Sequence, residues 1–213
     1  MHSYISNPSH GSAPYMLVDR NGISGIEGES LTLLPAEIVP WSTWLASHPD
    51  TTVLADKRKR NATRYYSPVE SRDGFVIGLS IGESAVGYHY TPAEEALVVN
   101  DFVGDLPVAV FVDPGTRAIA SYIRIPAPGL QGLLPDDAPD VLTFVVSKDG
   151  TITDEETGSV WDRERGDALN GPLAGAQLQQ VPYVTSFDWA WMNFFPESQF
   201  WPGVKTRAGF QAH

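Results

Sequence analysis

Two apolar runs separated by a two-residue turn decide the fold class of this chain. The runs are Phe75-Val76-Ile77-Gly78-Leu79-Ser80-Ile81 and Ser84-Ala85-Val86-Gly87-Tyr88-His89-Tyr90, and Gly82-Glu83 lies between them. β-Branched and aromatic residues on both sides of a glycine-containing dipeptide are typical of a β-hairpin. This part of the sequence therefore predicts antiparallel β structure.

The rest of the chain continues this pattern of short elements. Further strands are predicted at 98–99, 106–112, 118–125 and 141–147, with a turn at 101–105. Short helices are predicted at 41–47, 92–97 and 187–195. The sequence thus predicts a mainly β chain of the α+β class, with short strands and hairpins and two or three short helices.

The composition argues against several classes of function. The 213 residues carry a net charge of −12, so most of the surface repels phosphate, and we expect no nucleic-acid partner. The chain has no cysteine, which excludes disulfides, thiolate nucleophiles and cysteine-bound zinc. No apolar stretch approaches the roughly 18 residues of a membrane span, so we expect no membrane partner. No signal peptide is recognisable, so we expect the chain as written in the cytoplasm, or outside it if it is processed from a longer precursor.

Two segments of the chain match at a fixed offset of 147 residues. The matching pairs are Gly28/Gly175, Leu31/Leu178, Pro35/Pro182, Trp44/Trp191, Pro49/Pro196 and Asp50/Glu197. Because tryptophan is rare, the shared spacing predicts a degenerate internal two-fold repeat. Each unit would carry a short helix that brings its tryptophan into the core, so Trp44 and Trp191 are expected at equivalent buried positions.

Three motifs occur in these segments and between them. They are Trp41-Ser42-Thr43-Trp44 through His48-Pro49-Asp50-Thr51, Asn100-Asp101-Phe102-Val103-Gly104, and Thr157-Gly158-Ser159-Val160-Trp161 with the glycine run that follows. The motifs resemble those of an uncharacterised archaeal and bacterial family, domain-of-unknown-function family 3179. The family's Cys-Pro-x-Cys is replaced here by Asp113-Pro114-Gly115-Thr116. The resemblance implies a fold and a repeat order but no activity, and the chain looks like a tail, a head and a second tail with the first head missing.

Local composition and this resemblance together suggest how the chain is organised. Residues 1–14 are predicted to form an extended arm, and residues 15–213 are predicted to form a single compact domain. The predicted parts of that domain are a first tail-like repeat (15–54), a basic loop (55–73), a head-like β segment (74–125) and a second tail-like repeat (126–213).

Three side chains are candidates for a catalytic or ligand-binding site. His89, Asp101 and Asp113 would form a carboxylate–histidine site if the sheet brings them together. Otherwise His89 is a hairpin residue at a sheet edge. Gly78-Leu79-Ser80-Ile81-Gly82 matches the pattern of a nucleophile elbow, but the hairpin context favours a structural role. No group of side chains has metal-ligand spacing, so we predict no metal and no other cofactor.

Tryptophans are the candidates for a binding surface. The candidates are Trp161, Trp189 and Trp201, and the last two belong to a cluster of six aromatic side chains within residues 189–201. The alternative is that these rings pack under the sheet.

The sequence favours a non-catalytic interaction or assembly module. Such a module would self-associate, or would bind a second chain that supplies the missing head segment. The alternative is a hydrolase or small-ligand-binding protein with a site built from Asp101, Asp113 and His89. Convergence of these three side chains would favour the second hypothesis, and an exposed patch at Trp189 and Trp201 would favour the first.

Overall fold

A computed structural model describes residues 3–5, 16–19, 22–23, 39–52, 74–129 and 134–203, the first three ranges as strand backbone only. These residues form fifteen strands and three helices. The strands are β1 (Ser3–Ile5), β2 (Met16–Asp19), β3 (Gly22–Ile23), β4 (Phe75–Ile81), β5 (Ser84–His89), β6 (Val98–Val103), β7 (Leu106–Val112), β8 (Ile119–Pro128), β9 (Phe144–Val146), β10 (Ile152–Asp154), β11 (Val160–Trp161), β12 (Ala168–Asn170), β13 (Ala176–Gln180), β14 (Val184–Phe187) and β15 (Gln199–Trp201). The helices are α1 (Trp41–Ser47), α2 (Tyr90–Ala96) and α3 (Asp188–Phe194). The predicted mainly β fold with short helices is confirmed.

The strands form four sheets. Strands β13-β8-β7-β6 form the central sheet, β14-β4-β5-β15 the hairpin sheet, and β12-β11-β10-β9 the outer sheet. Strands β1-β2-β3 form a small antiparallel sheet of their own. The predicted β4–β5 hairpin is present, and Gly82 occupies the positive φ that its two-residue turn requires.

Strand β7 shows how the layers stack. Val108, Val110 and Val112 belong to one core with the hairpin sheet, whereas Ala109 and Phe111 belong to a second core with the outer sheet. Successive residues of a strand point to opposite faces, so a strand that is apolar at every position is buried on both sides. The central sheet is therefore the middle layer between the hairpin sheet and the outer sheet.

Several predicted boundaries are wrong by a few residues. Strand β6 continues to Val103, and its turn to β7 is Gly104-Asp105, so the turn predicted at 101–105 is too long. Strand β8 runs to Pro128, beyond the end predicted at 125. Helix α1 has its predicted bounds, while α2 begins at Tyr90, two residues before the predicted start. The two strand differences arise because strand pairing extends past the proline and aspartate residues that suggested loops.

The predicted head and second tail interleave in space. Strands β14 and β15 of the second tail pair with β4 and β5 of the head, and β13 pairs with β8. In the predicted arm, Ser3–Ile5 pairs with Met16–Asp19, and the arm's other residues lie outside the described residues. The predicted basic loop (55–73) also lies outside them, as does half of the first tail.

Candidate functional site

Trp191 lies against bare backbone on the outer face of the hairpin sheet. Helix α3 packs on β14, β4 and β5, and Trp191 is its buried residue, with 2% of its surface exposed. Beneath the ring are Gly78 and Gly87, which face each other directly across β4 and β5 and are called here the glycine pair. A Cβ on Gly78 would lie 2.3 Å from the Trp191 ring, and one on Gly87 would lie 3.2 Å from its Nε1. The Trp191 ring therefore requires glycine at Gly78, and at Gly87 the ring and Phe200, whose Cε1 would lie 2.9 Å from a Cβ there, together leave little room.

Contacts within the α3 segment hold the Trp191 ring in this orientation. The indole Nε1 donates a hydrogen bond to Ser198 Oγ at 2.6 Å, seven residues further on. The Phe195 ring packs on the indole with a centroid separation of 4.2 Å, and the Phe195 backbone N–H donates to the Trp191 carbonyl. The segment thus fixes the ring through its own residues as well as through the sheet.

The α1 segment repeats this local arrangement around Trp44. Its Nε1 donates to Thr51 Oγ1 at 3.0 Å, also seven residues further on. The His48 ring stacks on the indole at 4.0 Å, and the His48 backbone N–H donates to the Trp44 carbonyl. The backbone after the helix also matches, with φ −134° and ψ 67° at His48 and φ −130° and ψ 72° at Phe195. Two seven-residue helices at the predicted offset therefore carry a tryptophan in the same local geometry.

The two helices differ in what covers them. Trp41, Trp44 and Leu45 are 52%, 40% and 38% exposed, and α1 has no buried residue. The expectation that Trp44 is buried like Trp191 is therefore wrong. The physical reason is that α3 occupies the hairpin sheet, and no strand of the described residues covers α1 in the same way. The three residues Trp41, Trp44 and Leu45 are called here the α1 surface.

The structure does not bring the three catalytic candidates together. Asp101 faces Val108 across the β6–β7 ladder, and Asp113 follows β7 five residues further on, about 16 Å along the strand direction. Asp101 lies near the buried Tyr88, and burial followed by the Asp101 charge raises the pKa of the Tyr88 hydroxyl well above its ordinary value. His89 follows Tyr88 and so points to the opposite face of β5. The three candidate side chains therefore do not form one site.

His89 lies at the edge of the α3 contact. Its ring is 5.1 Å from the Phe200 ring, and its Nε2 is buried without a hydrogen-bond partner. Burial lowers the pKa of His89, and the Asp188 charge partly offsets this shift. This environment favours the neutral imidazole.

Asp113 lies in an open cleft of about 900 Å³. Its carboxylate pairs with Arg163 and accepts hydrogen bonds from the Gly115 and Thr116 backbone. Partial burial raises the pKa of Asp113. The hydrogen bonds from Gly115 and Thr116 and the charge of Arg163 lower it by more, so the pKa of Asp113 is lowered overall. The cleft also contains Glu164, whose pKa is raised by burial and then by the Asp162 charge. The cleft therefore holds a fixed ion pair beside a carboxyl of raised pKa.

The three tryptophan candidates have three different environments. Trp161 is buried in the second core, and its indole donates to Asp154 Oδ2 at 2.8 Å. Trp201 is half-buried and packs beside Tyr88. Trp189 is 58% exposed and stacks on Phe187. The expected exposed patch at Trp189 and Trp201 is therefore limited to Trp189.

The structure contains two polar clusters that the sequence did not predict. Asp154 accepts hydrogen bonds from the Thr157 backbone, the Thr157 hydroxyl and Trp161, and Ser159 Oγ accepts one from the Leu173 backbone. Arg124 donates to the carbonyls of Val108, Leu142 and Asp101, and so links the central sheet to the segment before β9. The Asp-x-x-Thr-Gly-Ser spacing was a usable signal for the first cluster, whereas no local pattern marks Arg124.

The comparison with protein families matched residues 18–198 to the family described as protein of unknown function, DUF3179. The chain belongs to the DUF3179 family. This match confirms the resemblance drawn from the motifs. The comparisons with curated proteins and with solved structures found no match.

Two further observations on this DUF3179 chain concern membrane spans and metal ions. Helices α1, α2 and α3 have seven residues each, and over the described ranges no helix is long and apolar enough to cross a membrane. Within the same ranges, no three histidine, aspartate or glutamate side chains are grouped as a metal ion requires.

Proposed function

We propose that this chain is a non-catalytic interaction or assembly module that uses the α1 surface. The module self-associates or binds a second chain that supplies the missing head segment. The observation that supports the proposal is the exposure of Trp41, Trp44 and Leu45 on one helix that has no buried residue. Clustered exposed aromatic side chains are typical of protein–protein interfaces.

The energy available from this surface suits a specific contact. A tryptophan side chain covers about 150–250 Å², and roughly half of this area is exposed at Trp41 and Trp44. At about 25 cal/mol per Å², covering the exposed half contributes about 2–3 kcal/mol for each ring. Two rings together therefore provide the central anchors that an interface of ordinary size needs.

Charge sets the conditions under which self-association is strongest. A net charge of −12 makes two copies repel each other at low ionic strength. Helix α1 contains no charged side chain, so the contact itself is apolar. Added salt screens the repulsion without weakening the apolar contact, and self-association should therefore strengthen as salt rises.

Sedimentation velocity at low and high salt tests the proposal, together with affinity purification from the native source. We expect either a larger species that grows with salt or a second chain that co-purifies. The double substitution Trp41→Ser/Trp44→Ser should abolish the association, while Trp189→Ser serves as the matched control at an exposed tryptophan outside α1. A monomer at both salt concentrations with no co-purifying chain would overturn the proposal, as would association that survives the double substitution.

The second candidate function is a small-ligand site, and one observation favours it. The Asp113–Arg163 ion pair lies in the open cleft beside Glu164, whereas Asp101 and His89 lie elsewhere. A hydrolase built from His89, Asp101 and Asp113 gains no support from this geometry. Ligand binding at the cleft would show as a thermal shift that Asp113→Asn removes and Asp101→Asn leaves unchanged. Loss of the shift with both variants, or with neither, would contradict a site at Asp113.

A further inference from the structure

We propose that the α1 surface docks on a β-hairpin of a partner chain. The outer face of that hairpin is uncovered and carries two glycines that lie directly opposite each other. This inference rests on the proposed function and names the class of partner. The template for the contact is present in the molecule itself, where α3 covers the glycine pair through Trp191. The sequence offset and the shared local geometry make α1 the second helix built for such a contact.

The first argument is that the Trp44 ring is already held as the docked Trp191 ring is held. In both segments an indole N–H donates to a hydroxyl seven residues on, and an aromatic ring four residues on packs on the indole. Docking α1 therefore requires no rearrangement of this ring. A side chain that is ordered before binding loses little conformational entropy on binding.

The second argument is that α1 is exposed at the positions that α3 covers. Trp191 is buried where Trp44 is exposed, and Met192 is half-buried where Leu45 is exposed. Leucine and methionine have similar volumes and exchange readily in cores. Residues 41–47 contain no charged side chain, so placing α1 on strand backbone buries no unpaired charge.

The third argument selects a different chain as the partner over a second copy of this one. Among the described residues, Gly78 and Gly87 are the only glycines that face each other directly across two strands. Trp191 already covers them in every copy, because it is 2% exposed. A second wild-type copy therefore offers no vacant glycine pair, and the partner must bring its own.

The first test asks whether the α1 segment fits a glycine-paired hairpin. In the full chain, residues 188–198 are replaced by the sequence of residues 41–51, which keeps tryptophan at position 191. We expect this chimera to unfold in one cooperative transition. Its tryptophan fluorescence should contain a fraction protected from acrylamide quenching that Trp191→Ala removes. Adding Trp191→Ala to the chimera should lower the denaturation midpoint as much as Trp191→Ala lowers it in the wild-type chain. An unfolded chimera, or one that Trp191→Ala does not affect, would overturn the inference.

The second test asks whether a vacated glycine pair recruits α1 from another copy. The full-length Trp191→Ala variant keeps Trp44 and removes the ring that covers Gly78, while Phe200 still lies beside Gly87. At concentrations where the wild type is monomeric by sedimentation, this variant should self-associate, and Trp44→Ala/Trp191→Ala should not. If circular dichroism shows that Trp191→Ala is unfolded, Trp191→Leu replaces it in the same comparison. A folded variant that stays monomeric at every concentration tested would overturn the inference.

The two proposals fail in different ways. If wild-type copies associate through Trp44 while α3 stays docked, the assembly function holds and the glycine-paired partner is wrong. If both tests succeed but the wild type has no partner, α1 fits such a hairpin but the proposed function is wrong.

Discussion

Replacing Trp191 and Trp44 by alanine separates the contribution of the sheet from that of the local segment. Both rings make the same indole-to-hydroxyl hydrogen bond and the same packing contact four residues on. They differ in that the glycine pair covers Trp191 and nothing comparable in the described residues covers Trp44. The difference between the two losses in unfolding free energy therefore measures the contact with the hairpin sheet.

The expected losses follow from burial. A fully buried tryptophan removes about 150–250 Å² from water, which is about 4–6 kcal/mol at 25 cal/mol per Å². Because alanine keeps the Cβ and the site relaxes in part, Trp191→Ala should cost about 3–5 kcal/mol. Trp44→Ala leaves no cavity and loses mainly the stack on His48, so it should cost about 0.5–1.5 kcal/mol.

Urea unfolding followed by circular dichroism measures both losses at a low protein concentration, where association does not contribute. A typical domain has about 5–15 kcal/mol of stability, so Trp191→Ala should still leave a measurable folded fraction or a clear early transition. Losses for Trp191→Ala and Trp44→Ala that agree within about 1 kcal/mol would refute this reasoning, because the two rings would then be covered equally.

Three further outcomes are expected. Gly78→Ala places a Cβ 2.3 Å from the Trp191 ring, so it should destabilise the chain by about 1–3 kcal/mol, and a loss that is undiminished in a Trp191→Ala background would contradict the contact. Asp154→Ala leaves the buried indole N–H of Trp161 and the Thr157 groups without an acceptor, so it should lower the free energy of unfolding in urea by about 2–4 kcal/mol. A loss below about 1 kcal/mol would mean that water replaces the carboxylate as acceptor. The lowered pKa of His89 means that the unfolded chain binds a proton more readily than the folded chain, so stability should fall as pH falls through and below about 6.5. Melting at pH 8 and pH 5.5 should show a smaller pH effect in His89→Gln than in the wild type, and an equal effect in both would contradict this role for His89.

The parts of the fold that local sequence specifies were predicted well. The β4–β5 hairpin follows from its apolar runs and a glycine in the turn, and α1 follows from Pro40 and Pro49, which bound it. The stacking of the sheets was not predicted, because the pairing of β14 with β4 joins residues more than 100 positions apart. Such pairings depend on which edges remain free after the hairpins form, and no local pattern records that.

The candidate site shows the same division between local and distant information. The matched spacing around Trp44 and Trp191 predicted two helices with the same local geometry, and the structure has both. The burial of Trp191 depends on Gly78 and Gly87, which belong to a distant hairpin, so the spacing alone could not distinguish a covered ring from an exposed one. His89, Asp101 and Asp113 were grouped by residue type, and β-strand alternation and the length of β7 separate them.

The Thr-Gly-Ser-x-Trp motif, which supports the family resemblance, has a structural role in this chain. Thr157 and Trp161 both bond to the carboxylate of Asp154, and the Ser159 hydroxyl receives a backbone N–H from Leu173. Asp154 and Ser159 are buried, so these groups hold the β10–β11 turn and the following segment together. Val160 and Trp161 of the motif also line the cleft that contains Asp113. The motif's buried hydrogen bonds therefore stabilise the fold, and a surface that binds a partner protein is expected where apolar side chains are exposed. In this chain the α1 surface is such a region, because its tryptophans are ordered by their own segment and exposed to solvent.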